Sequence, residues 1–316
     1  MRFDEFMHLA LHDPQRGYYA RRIQSVGGRG DFTTAPMLSD LPARAIARWA
    51  DLALRETSCR DLIEVGPGEG LLTTSVLKHL PLLRRLRTRM HLVETSTPLA
   101  ERQKALLGNR VHHHTDLKSA LALCKGRAVI FSNELVDAFP VRRFESTSNG
   151  WREIHVDLSP NSTATENLQP IDQPPSSSLW KINFPIGQRI EIHHAYQHWL
   201  TTWMPDWKAG KILTIDYGNT ADQLFHRRPH GTLRAYLLQQ RLEGPAIYQN
   251  IGRQDLTSDV NFTDLIHWSQ PWTSIHHLQS LTAFLTNHTT PGSEIDRAMC
   301  DESGAGSAFQ VLEQSR

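Results

Sequence analysis

The sequence predicts an α/β fold in which a parallel sheet carries helices on both faces, and three observations point there. Short apolar runs alternate with helix-patterned segments between residues 62 and 132. The first run opens straight into a glycine-rich turn, VGPGEG. Acidic residues follow the ends of later runs, Glu94 in HLVET and the NELVD segment after Ser132, at the sheet end where such folds bind ligands.

In chain order, Phe3, Phe6, Met7 and Leu11 recur at helical intervals over residues 3–12, and Asp13-Pro14 stops the pattern. Residues 27–36, GGRGDFTTAP, are loop chemistry and too long for a simple turn. Leu41, Ala45, Ile46, Trp49 and Leu52 give residues 38–55 the apolar stripe of an amphipathic helix. A strand at 62–65, a helix at 71–80, a strand at 91–94, a helix at 98–107 and a strand at 128–132 follow. Residues 151–158 predict an added antiparallel strand, and 159–178, rich in Ser, Thr, Asn and Pro, an exposed excursion at a lobe boundary. A helix is expected at 190–203, then a strand at 211–216 ending in a turn at Tyr217-Gly218. Segments 231–242 and 252–265 have mixed polarity with a helix start at Thr263, and 278–286 reads as a late helix. Four stretches result: an N-terminal helical cover (1–55), a ligand-binding core (56–145), an insertion (146–210) and a return to the sheet with a substrate-side insertion and C-terminal strands (211–316).

Composition narrows the function. The 316 residues are 39% hydrophobic, as in ordinary globular proteins, and 34 basic against 33 acidic residues leave a net charge of +1. That balance supplies no overall field for nucleic acid. Cys59, Cys124 and Cys300 are odd in number, far apart and without CxxC spacing, which argues against a disulfide framework or a structural zinc site and favours a reducing cytoplasm. The start, MRFDEFMHLALHDP, lacks the basic and apolar pattern of a secretory signal. No window reaches the ~20 apolar residues that span a bilayer, so no membrane insertion is expected.

A strand, a glycine turn and a helix can hold a dinucleotide or S-adenosylmethionine. The dinucleotide fingerprint needs a further glycine where Leu71 stands. The pattern here is E-x-G-x-G-x-G, with Glu64 at the strand end and Gly66, Gly68 and Gly70 after it. S-adenosylmethionine carries an ammonium, a sulfonium and a carboxylate, so an acid at the turn answers the ammonium while bare N–H groups face the carboxylate. Glu94, after the next strand, is positioned for the ribose hydroxyls. A tight turn with no ligand is the competing reading.

Other clusters carry less. His112, His113 and His114 are consecutive on a strand and cannot all face one ion, so no metal is expected. His193, His194 and His198 lack the HExxH arrangement and read as a solvated helix face. Trp199, Trp203 and Trp207 read as helix packing, and Arg227-Arg228 as a short basic pair without significance.

Several separated stretches together resemble the MidA-like class I methyltransferases, a family that includes a mitochondrial complex I assembly methyltransferase. They are DPQRGYY (13–19), GDFTTAP (30–36), EVGPGEG (64–70), VETSTPLAERQ (93–103), NELVDAFPV (133–141), IDYG (215–218), GTLRAY (231–236) and QDLTSDVNF (254–262). The resemblance implies a Rossmann-like, seven-stranded, mostly parallel sheet, S-adenosyl-L-methionine as donor, and an acceptor protein methylated on arginine. It also assigns residues. Glu64, Gly66, Gly68 and Gly70 hold the methionine end, Glu94 and Thr95 the ribose side, and Asp116 lies beside adenine. Gly30, Asp31, Phe32 and Thr33 form a loop over the donor. Asn133, Glu134 and Asp137 lie beside the transferring methyl, where Glu134 and Asp137, with Asp31, suit a forked guanidinium.

The chain departs from the family pattern at Met37, Asp40, Gln239 and the Thr257–Asn261 run, where Asp259 and Asn261 replace a histidine and an aspartate. These departures fall on the acceptor side. They keep two alternatives open: a non-catalytic donor-binding assembly factor, and a tailoring enzyme for a small metabolite. A nicotinamide-dependent oxidoreductase is disfavoured by Leu71. The sequence leaves the oligomeric state open, a homodimer included.

Overall fold

The computed structural model describes residues 1–21, 39–159, 164–301 and 304–316. Two compact units interleave along the chain. One takes Met1–Phe32, Val136–Trp199 and Gly218–Trp268; the other takes Thr33–Leu135, Leu200–Tyr217 and Ser269–Arg316. They cut across the four consecutive stretches read from the sequence.

The second unit holds the main sheet. Its strands are β1 (Asp61–Val65), β2 (Arg89–Val93), β3 (Val111–His114), β4 (Val129–Asn133), β5 (Lys211–Asn219), β6 (Ile275–Ser280) and β7 (Phe309–Ser315). They lie in the order β6-β7-β5-β4-β1-β2-β3. Pairings from β3 across to β5 are all parallel, while β7 runs antiparallel to both β5 and β6. The order reverses between β1 and β4, which puts a crevice at the carboxyl ends of those two strands. β1 reads as an unbroken buried run because both of its faces are covered.

The core of this unit joins Leu62, Val129, Phe131, Leu213, Ile215 and Val311 from the strands to Ile46, Trp49 and Leu54 from the helix Leu41–Glu56. Each such side chain, fully buried, contributes about 1.5–3 kcal/mol of transfer free energy. Trp207 belongs to this unit and donates its indole N–H to the Ala128 carbonyl at 3.0 Å, and Trp203 is buried with it. Among the described residues no helix is long and apolar enough to cross a membrane.

The first unit has its own core, where Phe3, Phe6, Met7 and Leu11 of the helix Phe3–His12 meet Val141, Val156, Tyr248 and Leu256. It contains two antiparallel sheets, one of four strands and one of three. Here several expectations need correction. Residues 159–178 are not simply an excursion, because Ala164–Gln169 pairs antiparallel with Gly150–Leu158. The start of the expected helix at 190–203 is the strand Arg189–Ile192, and the helix begins at His194. Tyr217-Gly218 is no turn: β5 continues through it, and Gly218 and Asn219 pair with Val260 and Asn261.

In the second unit, the late helix likewise begins only at Leu281, after β6, with the Ser280 hydroxyl accepting the Ala283 N–H as its cap. The misread segments are short apolar runs that fit either period.

Candidate active site

The glycine turn follows β1 directly. Gly66, Gly68 and Gly70 have φ of 67°, 56° and 81°, all in the left-handed region that favours glycine. A Cβ at Gly66 would stand 2.7 Å from Leu135 Cδ1, so this position is also closed by packing. At Gly68 no described atom lies within 4 Å of such a Cβ, so open space borders the middle of the turn. Gly70 caps the helix Leu71–His79, whose first N–H groups and positive dipole end suit a carboxylate.

Two carboxylates flank this backbone. Glu64 is buried and accepts a hydrogen bond from the Thr73 hydroxyl; burial, opposed by Thr73 and reinforced by Glu94, pushes its pKa up to about 8. Glu94 accepts the Ser96 N–H at 2.8 Å, and burial also raises its pKa against the backbone amides and Gln103 that bond it. Gln103 is fully buried, donates to the Gly68 carbonyl at 2.6 Å and reaches Glu94 Oε2 at 3.5 Å. Its own Oε1 has no hydrogen-bond partner among the described residues. Arg102 pairs with Glu69 at 2.7 Å, tying the turn to the helix Thr97–Leu107.

β4 delivers Asn133 and Glu134 to the same end of the sheet. Asn133 donates to Glu134 Oε1 at 3.0 Å, and Glu134 sits at φ 52°, an uncommon backbone for a non-glycine residue. The buried Asp216 carboxylate accepts the Leu135 N–H at 3.1 Å and the Tyr217 N–H at 2.9 Å, so it fixes the backbone just after β4. Asp216, Thr73 and Gln103 were missed as site residues. Asp216 and Gln103 lie within the quoted IDYG and VETSTPLAERQ runs, which is the signal that could have found them.

Asp116 and Thr95 are exposed at the ends of β3 and β2. Asp116 caps the helix Leu117–Leu123 by accepting the Ser119 N–H at 2.8 Å, so its carboxylate has a local structural role as well. Asp31, with Gly30, Phe32, Thr33 and Met37, lies outside the described residues.

Asp137 falls in the other unit, in the turn Val136–Ala138, buried, with the Thr257 hydroxyl donating to its Oδ2 at 2.7 Å. Burial raises its pKa, while Thr257 and Arg234 act against burial and Asp259 with it. Asp259 pairs with both Arg234 and Arg228, so Arg228 is not the insignificant residue expected. His193 also differs from expectation: it is buried against the Ser258 hydroxyl at 3.2 Å, and only His198 of its group is exposed. Gln239 lies on the exposed hairpin turn between Arg234–Leu237 and Gln240–Leu242, at φ 65°. Asn261 donates to the Ser178 hydroxyl at 3.1 Å.

A switch-point crevice, a bare glycine turn, an acid near the end of the first strand and another just after the second define a Rossmann-like class I methyltransferase. Residues 43–279 match the family model described as "Putative S-adenosyl-L-methionine-dependent methyltransferase", and the chain belongs to that family. S-adenosyl-L-methionine is the family's donor. A Burkholderia thailandensis protein of the COG1565 superfamily, crystallised bound to S-adenosyl-homocysteine, is 26% identical, with a TM-score of 0.87 over 100% of this chain and 88% of that one. The protein arginine methyltransferase NDUFAF7, mitochondrial, of Danio rerio is 27% identical over 83% of this chain and 66% of its own length. Its Rattus norvegicus counterpart is 26% identical over 84% and 65%. The match therefore spans just under two thirds of those relatives.

The described residues fit the donor. Glu64 and Glu94 form no ion pair among the described residues and suit a cationic group, the N-terminus of the helix Leu71–His79 suits a carboxylate, and no described atom crowds a Cβ at Gly68.

Proposed function

We propose that this chain transfers the methyl group of S-adenosylmethionine to an arginine side chain of an acceptor protein. The observation that carries the donor half is that no described atom lies within 4 Å of a Cβ at Gly68, in a turn next to Glu64 and Glu94, which form no ion pair among the described residues. The acceptor half draws support from relatives named as protein arginine methyltransferases. A guanidinium nitrogen attacks the methyl carbon, the C–S bond breaks with its electron pair going to sulfur, and S-adenosylhomocysteine leaves. The proton lost by the guanidinium passes to a carboxylate. Asp137, held above the ordinary carboxylate range by burial, is the residue we assign to accept it. Alignment of nucleophile, methyl and sulfur supplies about 7–11 kcal/mol of the barrier reduction. A cytoplasmic location accords with three free thiols, although the relatives named above are mitochondrial.

One observation favours a second reading, a donor-binding protein without turnover: Asp259, where the family carries histidine, is engaged by Arg228 and Arg234. Incubating the purified chain with methyl-labelled donor and fractionated protein extract separates the two. Label on arginine after hydrolysis supports the first reading. Asp137→Asn is then expected to lower turnover about 10²–10⁴-fold with donor affinity unchanged. Donor binding with no label on protein selects the second reading, and label in a solvent-extractable fraction selects a small-metabolite acceptor.

A further inference from the structure

The histidine tract of β3 does not converge on a point, but its neighbours on β1 and β2 do. Asp61 opens β1, His91 sits within β2, and Cys124 ends the helix Leu117–Leu123. One ligand atom from each lies within 4.8 Å of the other two, and all three residues are buried. His91 Nε2 is 2.9 Å from Asp61 Oδ1 and 3.7 Å from Cys124 Sγ. The 3.7 Å separation matches nitrogen and sulfur ligands sharing one tetrahedral ion at zinc distances of about 2.0–2.3 Å, and the 2.9 Å contact is a hydrogen bond that would open by a few tenths of an ångström around the ion.

The surroundings repeat the outer arrangement of a metal site. His91 Nδ1 is 3.0 Å from His114 Nε2, and His112 stacks on the His91 ring at 5.0 Å, so the imidazole is held in one orientation. Arg89 grips the Asp61 carboxylate with two bonds of 2.7 Å, orienting it and offsetting one negative charge.

We propose that Asp61, His91 and Cys124 form a buried zinc site that clamps β1, β2 and the helix Leu117–Leu123 together. Zn–O, Zn–N and Zn–S bonds form, and the Cys124 thiol releases one proton to solvent. His91 carries its single proton on Nδ1 and donates it to His114 Nε2. The Asp61 carboxylate and the Cys124 thiolate are the two negative ligands, with Arg89 beside Asp61 leaving one positive charge in excess, and the fourth position belongs to water. Asp61 begins the strand that ends at Val65, so the site lies roughly 13 Å of strand away from the glycine turn. Its role is structural, separate from methyl transfer.

The test uses the full chain made without a histidine tag in zinc-supplemented medium and passed through a chelator wash. Elemental analysis is expected to find about one zinc per chain. Cys124→Ser and His91→Ala lose it, and Cys300→Ser keeps it. Cobalt(II) replacement gives a thiolate-to-cobalt absorption band in the wild type and in Cys300→Ser but not in Cys124→Ser. His114→Ala weakens zinc affinity about 10–100-fold through loss of the outer partner. A thermal shift with S-adenosylmethionine reports that each variant is folded, and Asp61→Asn replaces any variant that gives none. A wild-type chain with neither zinc nor a cobalt band overturns the proposal and leaves a hydrogen-bonded network alone. So does zinc or a cobalt band that persists in folded Cys124→Ser.

Discussion

The chain builds two acidic clusters in opposite ways. At the glycine turn, Glu64 and Glu94 form no ion pair among the described residues, and their burial raises both pKa values. In the other unit, Asp259 is matched by Arg234 and Arg228, and Asp137 lies in the field of Arg234. In the first cluster burial favours the protonated acids, and a cationic ligand would favour their charged form; in the second, the protein's own guanidinium groups already face the carboxylates. A ligand carrying an ammonium and a sulfonium therefore gains more at the first.

The largest effect tests the self-compensated cluster. Arg234→Leu removes the buried partner of Asp259, whose other partner, Arg228, has a side chain 49% exposed. Stability is expected to fall by about 3–5 kcal/mol, the cost of leaving a buried charge unpaired. Denaturant unfolding measures this, and a loss below about 1 kcal/mol, the scale of a surface pair, would break the contrast between the clusters.

Next comes the open cluster. Gly68→Val places a branched side chain at φ 56° in the space left beside the turn. Donor affinity should fall at least about a hundredfold, or roughly 2.7 kcal/mol, while circular dichroism stays that of the wild type. Undiminished binding by calorimetry would mean that the donor does not lie against this backbone.

A pH series sharpens the comparison further. The folded pKa of Glu64 lies near 8, above its ordinary value, so the stability linked to its protonated form is full below about pH 4.5 and is lost as pH rises through about 8. Without donor, the wild type should lose stability across that window relative to Glu64→Gln. A bound ammonium favours the carboxylate, so donor affinity should rise with pH over the same range in the wild type and stay flat in Glu64→Gln. Parallel profiles for the two proteins would show that Glu64 does not titrate there.

The two clusters were unequally legible in the sequence. The glycine turn could be read because strand, turn, helix and the acid after the next strand follow one another within residues 61–94, and each glycine has its own backbone reason. The pairing of Asp259 with Arg234 could not, because it depends on Arg234–Leu237 lying antiparallel to Asp255–Thr257. The strand Arg189–Ile192 and β6 were hidden for a different reason, since four to six residues hold too few turns to separate one period from another.

Gln103 links the readable part of the open cluster to the unreadable one, and its removal should have the smallest effect. It stands in the second turn of the helix Thr97–Leu107, fully buried, with its amide between the Gly68 carbonyl and Glu94. A buried amide with one unmatched oxygen costs free energy, so the site keeps it for a positional reason. By holding Gly68 and Glu94 together it sets the spacing between the turn assigned to the methionine end and the acid assigned to the ribose. Gln103→Ala should weaken donor binding about tenfold or less, near 1.4 kcal/mol, with turnover at saturating donor unchanged. Gln103→Glu keeps the shape but adds a third carboxylate beside Glu64 and Glu94, and should bind more weakly than Gln103→Ala. If the order is reversed, shape rather than hydrogen bonding governs this position, and the cradle tolerates more negative charge than its two acids indicate.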